Sequence, residues 1–322
     1  GTVNYTADGT LTANGGITGA VTTNANNTGT LNLVGTVTGS VGTGALALKA
    51  VKFNAGASAL SSTANAQTFT VASATAAVTA TGLMTGAVGY TAAGSITANG
   101  GLTGNIDFAG NNGTFSIGTG QTITGNINNT GAANNGNLIF LGNTSSVTGN
   151  IGASSPLANV SFNGAGAITV PGTARSAVFN VGNSGAVVTA AGAITGNVAY
   201  TQSGTFKANN GLTGNIDFAG NNGTFNLAGG QTITGNVDNS IVGSNGSLIF
   251  LGNISSVTGN IGATNPLANV SFNGAGAVTV PGTARSAVFN VGNSGAIVTA
   301  TGLMTGTVNY TADGTLTANG GI

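Results

Sequence analysis

The fifteen residues GLTGNIDFAGNNGTF occupy Gly101–Phe115 and return letter for letter at Gly211–Phe225. Apolar Leu, Ile and Phe alternate with Thr, Asn and Asp, and Gly or Asn-Asn pairs break the run every few residues. That is the signature of short strands joined by turns, because a β-strand presents alternate side chains to opposite faces. The same spacing of 110 residues relates SPLANVSFNGAG, beginning at Ser155, to NPLANVSFNGAG, beginning at Asn265. Three related openings, GTVNYTADGTLTANGG at Gly1, GAVGYTAAGSITANGG at Gly86 and GNVAYTQSGTFKANNG at Gly196, divide the chain into blocks 1–85, 86–195 and 196–305. Residues 306–322 repeat residues 1–17, so the sequence reads as one 305-residue period followed by the start of the next.

Thr-Gly pairs set a finer period, recurring 18, 20, 21, 24 or 47 residues apart between Thr18 and Thr305. Reading each gap of 47 as two coils gives fourteen coils in 305 residues, or about 22 residues per coil. The first block lacks one coil, the counterpart of TGNIDFAGNNGTFSIGTGQ, an omission that a stacked architecture accommodates because each coil touches only its neighbours. The expected fold is therefore all-β, a single continuous right-handed parallel β-solenoid over residues 1–322 with about 14–15 coils. The axial advance expected for one period is fourteen rungs, about 67 Å at a spacing of roughly 4.8 Å.

Within that register the TGN(I/V) units place Asn105, Asn126 and Asn150, and again Asn215, Asn236 and Asn260, in successive coils. Such a column is expected to form an amide ladder, with the following Ile or Val turned inward. Phe108, Phe115, Phe162 and Phe179, with Phe218, Phe225, Phe272 and Phe289 one block later, are the expected interior rings.

The phrases NGNLIFLGNTSSVTGNIG, LTGNIDFAGNNGTF and GQTITGNI resemble the passenger regions of bacterial autotransporters, above all the large outer-membrane surface antigens of rickettsiae. The resemblance covers nearly the whole chain. It implies a β-solenoid displayed outside the outer membrane as a coat or adhesin. The family's signal peptide and C-terminal barrel are not visible here.

Composition narrows the chemistry. Charged residues make up 3% of the chain, the formal charge is zero, and His, Cys and Trp are absent. All five acidic residues are Asp, so the usual nucleophile–base triads and soft metal sites cannot be assembled, and no metal or cofactor is expected. Asp217 and Asp238 hold the same place in successive coils and form the one candidate acidic pair; in the sister block the equivalents are Asp107 and Asn128. No G-G-x-G-x-D array marks a calcium-binding roll. Arg175 and Arg285 follow Pro171 and Pro281 and are expected at coil corners, facing solvent or bonding carbonyls. Five scattered cations form no basic stripe for nucleic acid, and no apolar run is long enough for a transmembrane helix.

The functional expectation is a non-enzymatic extracellular or cell-surface fibre that continues or self-associates end to end, with a host or neighbouring cell surface as a further expected partner. The alternative is a polysaccharide- or ice-binding face, and a polysaccharide-degrading enzyme ranks third. The alternative needs Thr-x-Thr on one face of many coils, and TLT, TVT and TIT are scattered along the chain.

Overall fold

The computed structural model describes residues 1–322 and contains strands, turns and no helix. The chain winds as a parallel β-solenoid of about 16 turns with about 20 residues in each. It divides into two compact units, Gly1–Val160 and Ser161–Ile322, with the division inside the second sequence block rather than at a block boundary.

In the first unit a coil is built from three short strands, as in Leu102–Thr103, Ile106–Asp107 and Thr114–Ile117. Each pairs in parallel with the same face one coil away. Ile96, Phe115 and Leu138 stack in one column, and Val88, Ile106 and Ile127 in another, all essentially shielded from solvent. No single coil of this length can bury its apolar side chains, and stacking supplies the missing walls. Tyr90 lies on Phe108 with ring centroids 4.8 Å apart, and its hydroxyl donates to the Thr114 carbonyl at 2.8 Å. Burial drives the Tyr90 phenol well above its ordinary pKa, so it remains a donor. The ring has room because Gly113 carries no side chain: a Cβ there would sit inside it.

The second unit repeats this construction. Phe206, Phe225, Leu248, Val270 and Phe289 form one continuous column. The Phe206 and Phe225 rings stack at 5.6 Å, and the Phe250 and Phe272 rings at 5.4 Å. Each buried ring contributes about 1.5–3 kcal/mol by leaving water.

Register corrects the coil count. From Val3 the pairings run to Val21, Val41, Ala64 and Met84, four coils that end four residues before Val88, the block-two equivalent of Val3. In the second unit they run from Val198 through Ile216, Val237, Ile261 and Ala284 to Met304, five coils that end four residues before the next equivalent, Val308. A block therefore closes one face beyond a whole number of coils. The error lies in the 47-residue gaps. From Val37 two steps reach Leu60 and Ala80, and Thr85 lies on the next face, so that gap holds two coils and one face. With three faces per coil, a 305-residue period amounts to fifteen coils of about 20 residues, not fourteen of about 22.

Backbone pairing along every face makes the cationic sites poor protease substrates. Arg285 is the second residue of the strand Ala284–Val291, and Lys207 lies within Thr205–Ala208. Limited trypsin digestion under native conditions is expected to leave the chain intact long after a denatured control is cleaved, because cleavage requires local opening of paired strands. Rapid native cleavage after Arg285 would contradict this pairing.

Candidate binding surfaces and the acidic pair

Asp217 and Asp238 are direct register partners on adjacent rungs. Each carboxylate is committed to a turn. Asp217 accepts from the Ala219 N–H at 2.8 Å, the Ser240 N–H at 3.0 Å and the Ser240 hydroxyl at 2.7 Å. Asp238 accepts from the Asn239 N–H at 2.9 Å, the Thr264 N–H at 3.0 Å and the Thr264 hydroxyl at 2.5 Å. Asp107 repeats the Asp217 arrangement with Ala109 and Thr130. Asn128 repeats that of Asp238, its Oδ1 accepting from the Ser154 N–H at 2.9 Å and its Nδ2 donating to the Ser154 hydroxyl at 2.7 Å. Because an amide does the same bracing, the position needs an acceptor and not an acid. The turns closed by Asp107 and Asp217 hold Ala109 at a φ of 48° and Ala219 at 46°, in the left-handed region. Sequence reasoning missed this role. Its signal is the hydroxyl residue lying 23 to 26 positions after each acid, at Thr130, Ser240 and Thr264.

Burial acts to raise the Asp107 pKa, but hydrogen bonds from the Thr130 hydroxyl, the Thr130 N–H and the Ala109 N–H outweigh it and hold the group below the ordinary carboxylate value. The folded pKa thus lies below the unfolded one, near 3.9. The stabilisation is complete above the unfolded value and is lost as pH falls through the folded value. Melting temperature measured from about pH 5 down to 2 is expected to fall less steeply for Asp107→Asn than for the wild type. Identical profiles would remove the carboxylate from the turn.

The Asn columns lie on the surface, and their bonds differ from an amide ladder. Asn105 Oδ1 accepts from the Asn126 N–H, and Asn126 Oδ1 from the Asn150 N–H, each at 2.8 Å. In the second unit Asn215 serves Asn236 and Asn236 serves Asn260, again at 2.8 Å, and Asn260 accepts from the Thr283 N–H at 2.9 Å. The side chain reaches the backbone of the next rung because the neighbouring Gly residues let the corners approach closely. All eight Phe residues named above are buried. Arg285 lies in a strand just before a register shift, not in a turn, and its Nη1 donates to the Ala263 carbonyl at 3.0 Å.

No family model, curated protein or solved structure matches the chain.

Two shallow grooves mark the surfaces. In the first unit a groove of about 320 Å³ is lined by Thr36, Ala59, Ala77, Thr79, Ser95 and Thr97. Ala77 and Thr79 pair with Ser95 and Thr97, which pair in turn with Thr114 and Ser116. Hydroxyl and methyl groups thus form two parallel rows, assembled from Ala-x-Thr, Ser-x-Thr and Thr-x-Ser rather than from Thr-x-Thr, with Ser116 at the end of one row buried. In the second unit a groove of about 240 Å³ runs past Ile194, Asn210, Leu212, Thr213, Gln231 and Thr232. No group of three or more carboxylates gathers to hold a metal ion. No helix is long and apolar enough to cross a membrane.

Proposed function

We propose that the chain is a segment of a structural fibre outside the cell, a stalk, coat or adhesin passenger of the autotransporter type, with no catalytic role. The observation that carries this reading is the parallel stacking of coil on coil within each unit, continued across local register shifts, which directs backbone hydrogen bonds along one axis over a filled apolar interior. Such a body resists bending and local opening. Its side chains are neutral amides, hydroxyls and methyls, and its best acidic pair is engaged in bracing turns. Electron microscopy of the concentrated protein is expected to show narrow unbranched rods, and oriented rods to give a meridional reflection near 4.8 Å. Dispersed particles at every concentration would refute the fibre reading. Retention in the cytoplasm of a source cell would refute its location.

A second reading rests on the hydroxyl-and-methyl rows of the first unit. Flat, regularly spaced hydroxyls suit a polysaccharide strand, whose own hydroxyls repeat along an extended chain. Glycan binding abolished by Thr79→Val and Thr97→Val, with melting unchanged, is the result that would favour it.

A further inference from the structure

The chain carries one strip of surface twice, and the copy in the second unit differs from its counterpart in a consistent way. That strip starts at Arg175, which the buried Ala174 before it turns outward. Arg175 pairs with Thr195, Thr195 with Thr213, and Thr213 with Thr234, so one cation and three hydroxyls lie on successive rungs. Beside them run Asn197, Asn215, Asn236 and Asn260. Each Oδ1 is taken by the backbone N–H of the next rung, at 3.0 Å from Asn215 to Asn197, at 2.8 Å for the next two and at 2.9 Å from Thr283 to Asn260. The amide N–H donors of this column are left facing solvent without an acceptor in the chain. The groove of about 240 Å³ lies along the same strip, and the amides of Asn210 and Gln231 that line it make no hydrogen bond within the chain. Asp217, the nearest acid in sequence, has its carboxylate committed to a turn.

The counterpart strip lies 110 residues earlier. There Asn65 stands for Arg175 and pairs likewise with Thr85, Ala87 stands for Asn197, and Gly100 for Asn210. Leu83, 42% exposed, stands for Ala193, which lines the groove. Gln121, the equivalent of Gln231, folds its amide back onto the Thr119 carbonyl at 3.3 Å. Lys207 replaces Thr97, which adds a second cation three residues before Asn210. Each difference adds a donor or a positive charge to the second-unit strip, frees an amide, or removes bulk from the groove.

We infer that the strip from Arg175 to Asn260 is a binding site for a linear acidic polysaccharide, one whose sugars carry carboxylates. Such a chain is a row of acceptors: carboxylate and ring-hydroxyl oxygens recur along it, as the Asn and Thr donors recur along the strip at roughly 4.8 Å per rung. A carboxylate matches the fork of the Arg175 guanidinium, the strongest kind of hydrogen bond the strip can offer. Asn210 and Gln231 each supply both a donor and an acceptor to the sugar seated in the groove. Two cations are too few to hold a nucleic acid by its phosphates. The inference does not rest on the fibre reading, and the site differs from the hydroxyl rows of the first unit in place and in charge.

Titration calorimetry of the full chain tests the site, with hexamers of galacturonic acid and of hyaluronan as acidic probes and the methyl ester of the galacturonate hexamer as the uncharged control. An acidic hexamer is expected to bind about tenfold more tightly than the ester, and its affinity to fall as salt is added. Arg175→Asn, Ala193→Leu and Asn210→Gly each install the residue that the counterpart strip already holds, so the fold accepts them, and melting of each variant checks this. Arg175→Asn and Ala193→Leu are each expected to weaken binding about tenfold, and Asn210→Gly about threefold. Gln121→Ala, on the counterpart strip, is expected to leave it unchanged. Failure of both acidic hexamers to bind overturns the inference, as does equal binding of the ester. Binding that survives the three swaps but is lost in Thr79→Val with Thr97→Val would belong to the first-unit rows and would also overturn it.

Discussion

Deletion of Thr103–Ile123 is expected to leave a folded protein, whereas deletion of Thr103–Asn112 is expected to abolish cooperative folding. The first cut removes one register step, since Leu102 pairs with Ile123 and Thr103 with Thr124. Thr124 then takes the place of Thr103 on Thr85, Ile127 replaces Ile106 over Val88, and Leu138 replaces Phe115 over Ile96. The inward strand positions stay apolar, the buried Asn129 takes the place of Phe108 beside Tyr90, and one coil interface is lost from a body whose stability is close to a sum over neighbours. The second cut removes the Ile106 and Asp107 face while keeping Phe115, so the shortened coil cannot close. Inward columns are broken, and backbone groups on two faces lose their partners. Thermal melting followed by circular dichroism is expected to show a midpoint within about 5 °C of wild type for the whole-coil deletion and no cooperative transition for the other. Comparable melts for the two would refute the register. The first block supplies a natural precedent, since it lacks a coil that the other two possess.

A second large effect is expected at Gly113. Its backbone does not lie in the left-handed region, so the cost of a side chain there comes from contact alone. A Cβ would enter the Tyr90 ring, which cannot retreat because it is stacked on Phe108 and its hydroxyl is tied to Thr114. Gly113→Val is expected to cost about 3 kcal/mol, the upper end of ordinary overpacking. Gly120→Ala makes the converse comparison. Its φ of +73° is unfavourable to a side chain, yet the space around it is open, so about 1 kcal/mol of backbone strain is expected. Hydrogen exchange at Phe115 and Leu138 reports the local loss, which global unfolding of a stacked array averages away. Tyr90→Leu is expected to recover part of the stability of Gly113→Ala; no recovery would locate the clash elsewhere.

The class of fold was legible because its cause is local. Alternation in GTFSI and the Gly-Asn turns require short strands, and repetition requires that they stack on their own kind. What was not legible depends on how far the chain travels around the coil. Thr38 and Thr85 carry the same two letters but lie on different faces, and only the pairing of Val37 through Leu60 to Ala80 reveals the offset. The groove rows were hidden for a related reason. Thr79, Thr97 and Ser116 come together through steps of 18 and 19 residues, and their triplets share size and hydroxyl character rather than spelling. Asp217 and Asp238 stand out in the sequence as a stacked candidate pair because their spacing places them on adjacent rungs. Their real partners, Ser240 and Thr264, belong to turns that no periodicity in the acids themselves announces.

The extra face that each block adds has a consequence for anything that approaches from the side. Within each unit, a motif that occurs once per block, such as the YTADG or YTQSG turn, does not line up along one flank but moves on by one of the three faces at its recurrence. A ligand that spans both copies of such a turn within a unit must wind around the coil, whereas one restricted to a single flank meets one copy there.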